Sequence, residues 1–449
     1  MATHAPEPSE SDAMYQAATG VVERLTARGF TTYLAGGCVR DMLLGRTPVD
    51  VDVATEALPD VVEGLFPGAI TTGKSFGVVR VPFRAHEIEV ATFRADHGYQ
   101  DGRHPESVTF SDPLTDAQRR DFTINALFMD ITDGNRVIDY VKGQADLTSR
   151  TLRCVGDAGT RFKEDHLRML RAVRFASVLQ FKLEDATAAA IRSHAACVTT
   201  VAAERVRDEL TRTWVEAPRA GDALLMLQEL GLLKHLIPEI SAMHAVPQPA
   251  QFHPEGDVLK HTALMLNKMD PPSLQLAWSV LLHDVGKPPT MTSHTDRIRF
   301  NGHADLGGDI AERILRRLRF GNDDIAAIVA CVRGHMRTMD VPHMRRATLR
   351  RMVGAPTFPV ELELHRLDCL GSHGDLKNYD RLVEFQAEMA NEPVLPDAWV
   401  TGRDVMPLGI GEGPQVGRWL RLAYEAQLEN RFPDRATLLD WLKREIAAG

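Results

Sequence analysis

Short β-like segments occur only in the first third of the chain, and this pattern constrains the fold more than any other feature. Four apolar or alternating segments fit strands: 31–35, 49–54, 78–83 and 87–93. Helical spacing marks 12–27 and a stretch near 57–66. From about residue 140 onward, long segments rich in Leu, Ala, Arg and Glu dominate. The sequence therefore predicts a small α/β head followed by a mostly α-helical remainder.

Composition excludes several classes of protein. The net charge of −9 excludes a uniformly basic chain that coats nucleic acid. No apolar run approaches the ~20 residues needed to cross a bilayer, and the polar N-terminus lacks the apolar core of a signal peptide. The five cysteines are scattered and odd in number, so a disulfide framework is not expected. We expect a cytoplasmic protein with no membrane partner.

A glycine pair marks the first candidate site. Gly36 and Gly37, in LAGGCVRDMLLG, lie between a predicted strand and a short predicted helix. Backbone N–H groups at such a junction can approach a phosphate closely at the helix N-terminus. The pair alone is more typical of an ordinary turn, so its interpretation depends on the acidic residues that follow.

Acidic residues follow on two predicted strands. In VDVDVA the three valines share one face of a strand, and Asp50 and Asp52 share the other. Two ionised carboxylates about 7 Å apart repel each other, so a divalent cation with oxygen ligands is expected between them. Glu89, on the same face as Glu87 in HEIEVATF, offers a third carboxylate. Such a set indicates two-metal phosphoryl or nucleotidyl transfer; the alternative is a solvated strand face.

A row of charged residues marks the second candidate site. RFKEDHLRMLRAVRF places Asp165, Arg168, Arg171 and Arg174 three residues apart on a predicted helix. A carboxylate accepts from the exocyclic amino group of cytosine or adenine, and a guanidinium donates to the adjacent ring nitrogen. Uracil and guanine present the opposite polarity there and would be rejected. The alternative is a solvated charged face.

Histidines and aspartates form the third candidate site. They occur in the order H…HD…H…H…D on successive predicted helices: His261, His283, Asp284, His303, His335 and Asp368. Imidazole and carboxylate groups suit borderline transition metals. The alternative is a degenerate site that holds a metal for structure alone.

A group of ten arginines between residues 313 and 351 marks a candidate RNA-binding surface: 313, 316, 317, 319, 333, 337, 345, 346, 350 and 351. Such a local basic surface can follow a phosphate backbone despite the negative net charge. An A-form stem is read mostly by shape and backbone, which suits the acceptor arm of a tRNA. The alternative is a set of solvated helix faces.

Taken in order, the motifs resemble a known family. GGxxRD, DxD, EVATFRAD, DGRHPESVTF at 101–110, RRDFTINAL at 119–127 and EDxxR are similar to those of class II CCA-adding tRNA nucleotidyltransferases and bacterial poly(A) polymerases. These belong to the DNA polymerase β nucleotidyltransferase superfamily, and the likeness covers roughly residues 30–210. The His and Asp set resembles HD-superfamily metal phosphohydrolases, which some bacterial CCA-adding enzymes carry after the polymerase head.

The resemblance implies roles for individual residues. Asp50 and Asp52 would bind Mg²⁺, with Glu89 as a third catalytic carboxylate. The nucleotide would contact Gly36, Gly37, Arg40, Arg120, Asp165, Arg168, Arg171 and Arg174, with Asp165 and Arg168 reading the base. ERVRDEL at 204–210 would support this pocket. The loop from Arg94 to Pro105 is similar to the mobile segment that CCA-adding enzymes use when they switch from C to A.

The resemblance also implies an activity and its partners. We expect template-independent addition of CCA to tRNA 3′ ends from CTP and ATP, with no DNA partner; the oligomeric state stays open. The HD site would hold a transition metal (Ni, Mn, Co or Fe) and hydrolyse phosphates on RNA ends. Two alternatives are a poly(A) polymerase and an HD phosphohydrolase whose polymerase-like head only binds RNA.

Five segments are expected along the chain. They are a disordered tail (1–12), a nucleotidyltransferase head (13–150), a helical nucleotide-selecting and RNA-binding neck (151–240), an HD metal phosphohydrolase domain (245–390) and a C-terminal helical tail (391–449).

Overall fold

The chain forms two compact units that divide between Pro238 and Glu239. The computed structural model describes residues 10–99, 102, 105–248, 256–293 and 298–448. The division lies close to residue 240, where the expected neck ends, and residues 249–255 lie outside the described residues.

The first helix begins earlier than expected. It starts at Glu10, so the predicted tail of residues 1–12 was too long. Residues 1–9 lie outside the described part of the chain. The helix ends at Thr26, and Gly29 follows with a left-handed φ of +88°, as is common just beyond a helix C-terminus.

The first unit combines sheet and helix. Its strands are β1 (Thr32–Ala35), β2 (Asp52–Thr55), β3 (Val78–Phe83), β4 (His86–Thr92), β5 (Arg94–Tyr99), β6 (Pro105–Phe110), β7 (Leu127–Asp130), β8 (Arg136–Asp139), β9 (Thr151–Leu152) and β10 (Lys182–Leu183). Its helices are α1 (Glu10–Thr26), α2 (Gly37–Leu43), α3 (Pro59–Leu65), α4 (Pro113–Arg119), α5 (Gly143–Thr148), α6 (Ala158–Glu164), α7 (Arg168–Leu179), α8 (Asp185–His194), α9 (Ala203–Glu216), α10 (Ala220–Glu229) and α11 (Leu233–Leu236).

A six-stranded sheet in the order β3-β4-β2-β1-β7-β8 forms the base of the head. β1 runs antiparallel to β2, and β2 runs parallel to β4 with Val53 opposite Val90. Both valines are buried. One residue earlier, the same register sets Asp52 level with Glu89, about 4.8 Å apart in backbone position, with both side chains on the other face.

The second strand is shorter than the sequence pattern indicates. We expected a strand over 49–54, but β2 begins at Asp52, which pairs with Ala35 at the end of β1. The chain turns at Gly36, so β1 provides no partner for residues 49–51. Val49 is 89% exposed rather than buried, and Asp50 lies in the segment before the strand. The prediction of a strand over residues 49–51 was therefore wrong.

The segment expected to be a mobile loop is largely a β-hairpin. β5 and β6 pair in antiparallel fashion, with Arg94 opposite Phe110 and Tyr99 opposite Pro105. Residues 100, 101, 103 and 104, in the connection between the strands, lie outside the described residues. The alternating pattern of ESVTF at 106–110 is typical of a strand, and it could have identified the second strand of this hairpin.

In its described residues, the second unit is helical apart from one small hairpin. The short helix α12 (Pro238–Ser241) spans the boundary, and the hairpin strands are β11 (Thr292–Ser293) and β12 (Ile298–Arg299). The other helices are α13 (Val258–Leu266), α14 (Leu274–Leu282), α15 (Lys287–Thr290), α16 (His303–Arg317), α17 (Asn322–Gly334), α18 (Arg346–Val353), α19 (Phe358–Gly371), α20 (Lys377–Glu388), α21 (Gly402–Val405), α22 (Pro414–Leu428) and α23 (Arg435–Ala448). Among the described residues, no helix is both long enough and apolar enough to span a bilayer.

Candidate active site and metal centre

One cavity in the first unit brings the predicted head and neck residues together. Its volume is about 860 Å³. All eleven residues expected to form the site line it: Gly36, Gly37, Arg40, Asp50, Asp52, Glu89, Arg120, Asp165, Arg168, Arg171 and Arg174. Carboxylates from the sheet and arginines from α7 therefore face a single volume, as a nucleotide with a charged triphosphate and a polar base requires.

The carboxylates at the sheet end of the cavity repel one another. Burial raises the pKa of Asp52 to about 7, the charges of Asp50 and Glu89 add to this shift, and Arg120 opposes it. Burial, followed by the charge of Asp50, also raises the pKa of Glu89. Glu87 instead pairs with Arg80 at 2.8 Å on the surface. The three cavity carboxylates are hard oxygen donors and fit Mg²⁺, which would relieve their repulsion.

The glycine pair brings the backbone close to an arginine. Gly36 has φ +79°, and a Cβ there would lie 3.0 Å from Nη1 of Arg120. A side chain at this position would be strained and would crowd the guanidinium. Gly37 is the first residue of α2, so the N-terminus of that helix also reaches the cavity.

A buried aspartate that sequence analysis missed orients two arginines towards the cavity. Asp116 is 1% exposed and bonds Arg119 at 2.6 Å and Arg120 at 3.0 Å. Burial alone would raise the pKa of Asp116, but Arg120 and Arg119 outweigh it and lower the pKa. The i,i+3 and i,i+4 spacing of an acid before RR was the available signal. Arg94 and Arg119 also line the cavity and were not predicted.

The guanidinium of Arg40, predicted to contact the triphosphate, already has hydrogen-bond partners in the protein. Its guanidinium makes two bonds of 2.8 Å to Asp41 and one of 2.6 Å to Asn125, and it lies over the ring of Phe175. It lines the cavity, but its donors are mostly occupied. Its contact with the triphosphate stays a prediction.

The helix expected over 161–175 is broken at the predicted base-reading residue. α6 ends at Glu164, α7 begins at Arg168, and Asp165 has an extended backbone between them. The Asp165 carboxylate accepts from the backbone N–H of Leu167 at 3.0 Å. Asp side chains compete with helical hydrogen bonds in this way. Asp165 and Arg168 therefore do not share one helix, although both face the cavity.

The α9 helix fixes the segment that contains Asp165, the predicted base-reading residue. Arg205 binds the Asp165 carboxylate through both terminal nitrogens, at 2.9 and 3.3 Å. Glu209, also on α9, binds Arg174 at 2.5 Å. Both residues belong to the ERVRDEL segment, which we expected to support the pocket, and the bidentate geometry makes the first contact strongly orienting.

The guanidinium groups of the α7 arginines are held by hydrogen bonds to other parts of the first unit. Arg168 donates to the carbonyls of Arg161 at 3.1 Å and Arg119 at 3.2 Å. Arg171 makes two bonds to Asp121, at 2.7 and 2.9 Å. Burial would raise the pKa of Asp121, but Arg171 outweighs it and lowers the pKa. These contacts set the direction of each guanidinium before a ligand arrives.

The second unit gathers all six predicted His and Asp residues into two metal-ligand groups. One contains His261, His283 and Asp368, and the other contains Asp284, His303 and His335. Asp284 lies between them: its Oδ2 is 3.1 Å from His283 Nε2, and its Oδ1 is 3.6 Å from His303 Nε2. The set is therefore compact rather than dispersed along the helices.

Hydrogen bonds fix the tautomers of three of these histidines. The Nδ1 atoms of His283, His303 and His335 lie 2.7–2.8 Å from the carbonyl oxygen three residues earlier. Each Nδ1 therefore donates its proton to a carbonyl, and each Nε2 presents a lone pair to the cluster. Such an arrangement fits a transition metal with nitrogen and oxygen ligands.

Two of these lone pairs face each other across a short distance. His303 Nε2 and His335 Nε2 are 3.1 Å apart. Burial, with an additional effect of His283, lowers the pKa of His335 to about 4, and burial also lowers that of His303. Both rings are thus neutral near pH 7, and a shared cation would remove the repulsion between their lone pairs.

Glycine allows this cluster to close. A Cβ at Gly286 would come within 2.1 Å of the His303 carbonyl oxygen and 2.8 Å of the Gly307 nitrogen. No side chain fits this contact without moving backbone. The segment after Asp284 can therefore approach the first turns of α16, which carries His303.

The predicted basic surface is only partly available. Arg350 is 1% exposed and donates to the carbonyls of Pro393 at 2.6 Å and Val394 at 2.7 Å, so it cannot contact RNA. Arg317 pairs with Glu239 through two bonds of 2.8 Å. The sequence pattern did not separate arginines that hold the fold from those on a solvated face, and counting Arg350 among RNA contacts was wrong.

Comparisons with known proteins agree with this architecture. The chain matches the Poly A polymerase head domain family over residues 32–153, the family described as probable RNA and SrmB-binding site of polymerase A over 180–243, and the HD domain family over 257–370. A CCA-adding enzyme of Latilactobacillus sakei is 31% identical over 454 residues, covering 98% of each chain. The chain belongs to the CCA-adding enzyme family. The family resemblance and the predicted fold class are thereby confirmed.

Two further members of the CCA-adding enzyme family differ in coverage. An enzyme of Geobacillus thermodenitrificans is 44% identical over 223 residues, which are 49% of this chain and 54% of that relative. The chain thus matches only about half the length of that relative. A crystal structure of the Bacillus stearothermophilus CCA-adding enzyme in complex with CTP has 27% identity and a TM-score of 0.73, covering 97% of this chain and 98% of that one.

Replacing Asp52 by asparagine should stabilise the metal-free protein at pH 8 and change little near pH 4. The pKa of Asp52 is about 7 when folded and about 3.9 when unfolded. The folded state therefore binds the proton more tightly, and the stability this gives is lost as the pH rises from about 4 to about 7. We expect the Tm with EDTA at pH 8 to rise by a few degrees.

Thermal unfolding across this pH range provides the test. Excess Mg²⁺ should raise the Tm of the wild type more than that of the variant. Glu56→Gln, at an exposed carboxylate just after β2, is the control and should show neither effect. A Tm difference for Asp52→Asn that does not vary with pH would contradict the assigned repulsion.

Proposed function

We propose that this protein adds CCA to tRNA 3′ ends without a template, using CTP and ATP, by two-metal nucleotidyl transfer. The observation that carries the proposal is the single cavity in which Asp50, Asp52 and Glu89 face the same volume as Asp165 and Arg168. Full-length similarity to a CCA-adding enzyme supports it. The enzyme complexes solved with CTP and tRNA are those of relatives, and we extend their ligands to this chain as part of the proposal.

The carboxylates and arginines would divide the work at the sheet end of the cavity. Asp50, Asp52 and Glu89 would hold Mg²⁺, which lowers the pKa of the attacking 3′-hydroxyl and stabilises charge on the α-phosphate. Arg119 and Arg120, fixed by Asp116, would neutralise the triphosphate. Because these guanidinium groups are already oriented, little reorganisation is needed during the reaction.

Base selection would rest on Asp165 and Arg168. The Asp165 carboxylate accepts from the amino group of cytosine or adenine, and Arg168 donates to the neighbouring ring nitrogen. Arg205 holds Asp165 through two hydrogen bonds, so the acceptor is fixed when the base arrives. Uracil and guanine would place a carbonyl oxygen against the Asp165 carboxylate and a ring N–H against the Arg168 guanidinium. A site built on such hydrogen bonds rejects these mismatches strongly.

A second activity is proposed for the HD centre. His261, His283, Asp284, His303, His335 and Asp368 would hold a transition metal, which supplies a hydroxide nucleophile near neutral pH. We propose hydrolysis of a 2′,3′-cyclic phosphate or terminal phosphate on a damaged RNA end. Water would break the P–O3′ bond, which leaves a 2′-phosphate from the cyclic ester or releases inorganic phosphate from a terminal 3′-phosphate. Either product carries the free 3′-hydroxyl that nucleotidyl transfer needs.

Purified protein should add CC to a tRNA lacking its CCA end when given CTP alone, and a complete CCA when given CTP and ATP. Sequencing of the product ends after addition of each NTP singly and then mixed is the measurement. Asp52→Ala should lower the rate at least about a thousandfold, because a lost metal site costs several kcal/mol of barrier. Glu56→Gln should retain the activity.

Two results would contradict the assignment. Long A tails formed from ATP alone would identify a poly(A) polymerase instead. An Asp52→Ala rate within about tenfold of the wild type would show that this carboxylate does not hold a catalytic ion.

Asp165→Ala should allow UTP or GTP to be incorporated more readily relative to CTP. The discrimination at stake is on the order of 2–5 kcal/mol, since unpaired buried polar groups reject the wrong base. Arg205→Ala should shift selection in the same direction, because it frees the Asp165 carboxylate. Arg207→Ala, on the same helix and paired with Asp208, is the control.

Single-turnover incorporation of all four nucleotides measures this selection. If Asp165→Ala lowers all four rates equally and keeps their order, the segment supports the structure and does not read the base.

Metal-loaded protein should open a 2′,3′-cyclic phosphate or release a terminal phosphate, and His283→Ala or Asp284→Ala should abolish this activity while CCA addition persists. The two chemistries use separate ligand sets, so they should be separable by mutation. His373→Ala, an exposed histidine of the second unit, is the control. If wild-type protein adds CCA but hydrolyses neither phosphate with any of Ni, Mn, Co or Fe, the centre is structural.

A further inference from the structure

The cavity of the first unit extends beyond the residues assigned to the incoming nucleotide. The last turn of α9 contributes Arg212 and Glu216 to its lining. They pair at 2.6 Å, and their side chains are 55% and 35% exposed, so both have surface available to a ligand. Neither has a role in the proposed metal site or in reading the incoming base.

Glu216 lies beside the middle of α7, whereas Asp165 and Arg168 lie at the N-terminal end of that helix. Arg168 contacts α6 and the end of α4, through the carbonyls of Arg161 and Arg119. Arg174 is six residues further on, about 9 Å along the helix, and its Nη1 lies 3.5 Å from Glu216. The amino group and the ring nitrogen of one base edge are neighbours, so their hydrogen-bond partners must also lie side by side. The two acid–arginine pairs thus serve different parts of a ligand.

The surroundings of the pair suit a nucleobase. Val178 and Leu179, on the last turn of α7, line the cavity and provide an apolar wall. Apolar contact with a base face, combined with hydrogen bonds to its edge, is the usual way to bind an unstacked base. Glu216 offers the acceptor and Arg212 the donors.

We propose that Arg212 and Glu216 form a second base subsite, which holds the 3′-terminal nucleoside of the RNA and prefers cytosine or adenine. This inference rests on the proposed nucleotidyl transfer. The preference follows from polarity: a carboxylate beside a guanidinium matches an amino group beside a ring nitrogen, and uracil and guanine present the reverse. The enzyme would then read the nucleotide last added as well as the one to be added.

An exposed pair elsewhere in the same unit gives a matched control. Arg219 and Asp222 pair at 2.5 Å with exposed fractions of 55% and 48%, close to those of Arg212 and Glu216. They do not line the cavity. Arg219→Ala removes the same charge from a similarly exposed position, so it reports the general electrostatic effect on tRNA binding.

The experiment compares tRNA substrates whose last nucleotide before addition is C or U, with CTP as the incoming nucleotide. For Arg212→Ala and Glu216→Ala we expect the KM for the C-ended tRNA to rise at least tenfold. For Arg212→Ala, the KM for CTP and the kcat at saturating tRNA should stay within twofold. The preference for C-ended over U-ended tRNA should fall towards one. Glu216→Gln keeps a hydrogen-bond acceptor, so it should retain most of the preference that Glu216→Ala loses. This result would show that the loss in Glu216→Ala does not come from misfolding.

Equilibrium binding of the two tRNAs without nucleotide or metal gives a second readout. Wild-type protein should bind the C-ended tRNA more tightly, and Arg212→Ala should remove the difference. If Arg212→Ala weakens both tRNAs equally, the residue contacts phosphate and the inference is wrong. A raised KM for CTP instead would place the pair in the incoming-nucleotide site and also overturn it. If the wild type adds no nucleotide at all, the proposed function fails, and the binding readout still decides whether a terminal-base subsite exists.

Discussion

Repulsion among Asp50, Asp52 and Glu89 is the constraint on which the first unit depends. The parallel register of β2 and β4 sets Asp52 level with Glu89, and the turn at Gly36 leaves the segment with Asp50 free to approach from the side. Burial, together with the charges of Asp50 and Glu89, raises the pKa of Asp52 to about 7. A divalent cation would relieve the repulsion, so we propose that this end of the sheet binds metal at a cost in stability.

Ion pairs within the first unit orient the arginine side chains that line the cavity. Asp116, Asp121 and Glu209 each hold an arginine that lines the cavity, and Arg205 holds Asp165. A flexible guanidinium would lose side-chain entropy on binding, whereas one already fixed binds with less loss. The HD centre follows the same logic, because backbone carbonyls orient the rings of His283, His303 and His335 before a metal arrives.

The sequence predicted the order of elements and the membership of the site better than the local geometry. Motif spacing identified Asp52, Arg168 and the six HD residues, because chemistry restricts residue type at these places. It also identified Asp50 and Asp165 but predicted their local secondary structure wrongly, since where a strand or helix ends depends on partners distant in sequence, such as β1 ending at Gly36. Asp116 was missed because a buried ion pair and a solvated one share the same spacing.

The most direct test of the account is anomalous diffraction from crystals that contain Mn²⁺ and a non-hydrolysable CTP analogue. Mn²⁺ should be bound by Asp50 and Asp52, with the cytosine amino group within hydrogen-bonding distance of Asp165 and its ring nitrogen facing Arg168. Metal bound away from these carboxylates would contradict the central claim. So would a base edge that faces neither residue, because one cavity would then not combine catalysis with base selection.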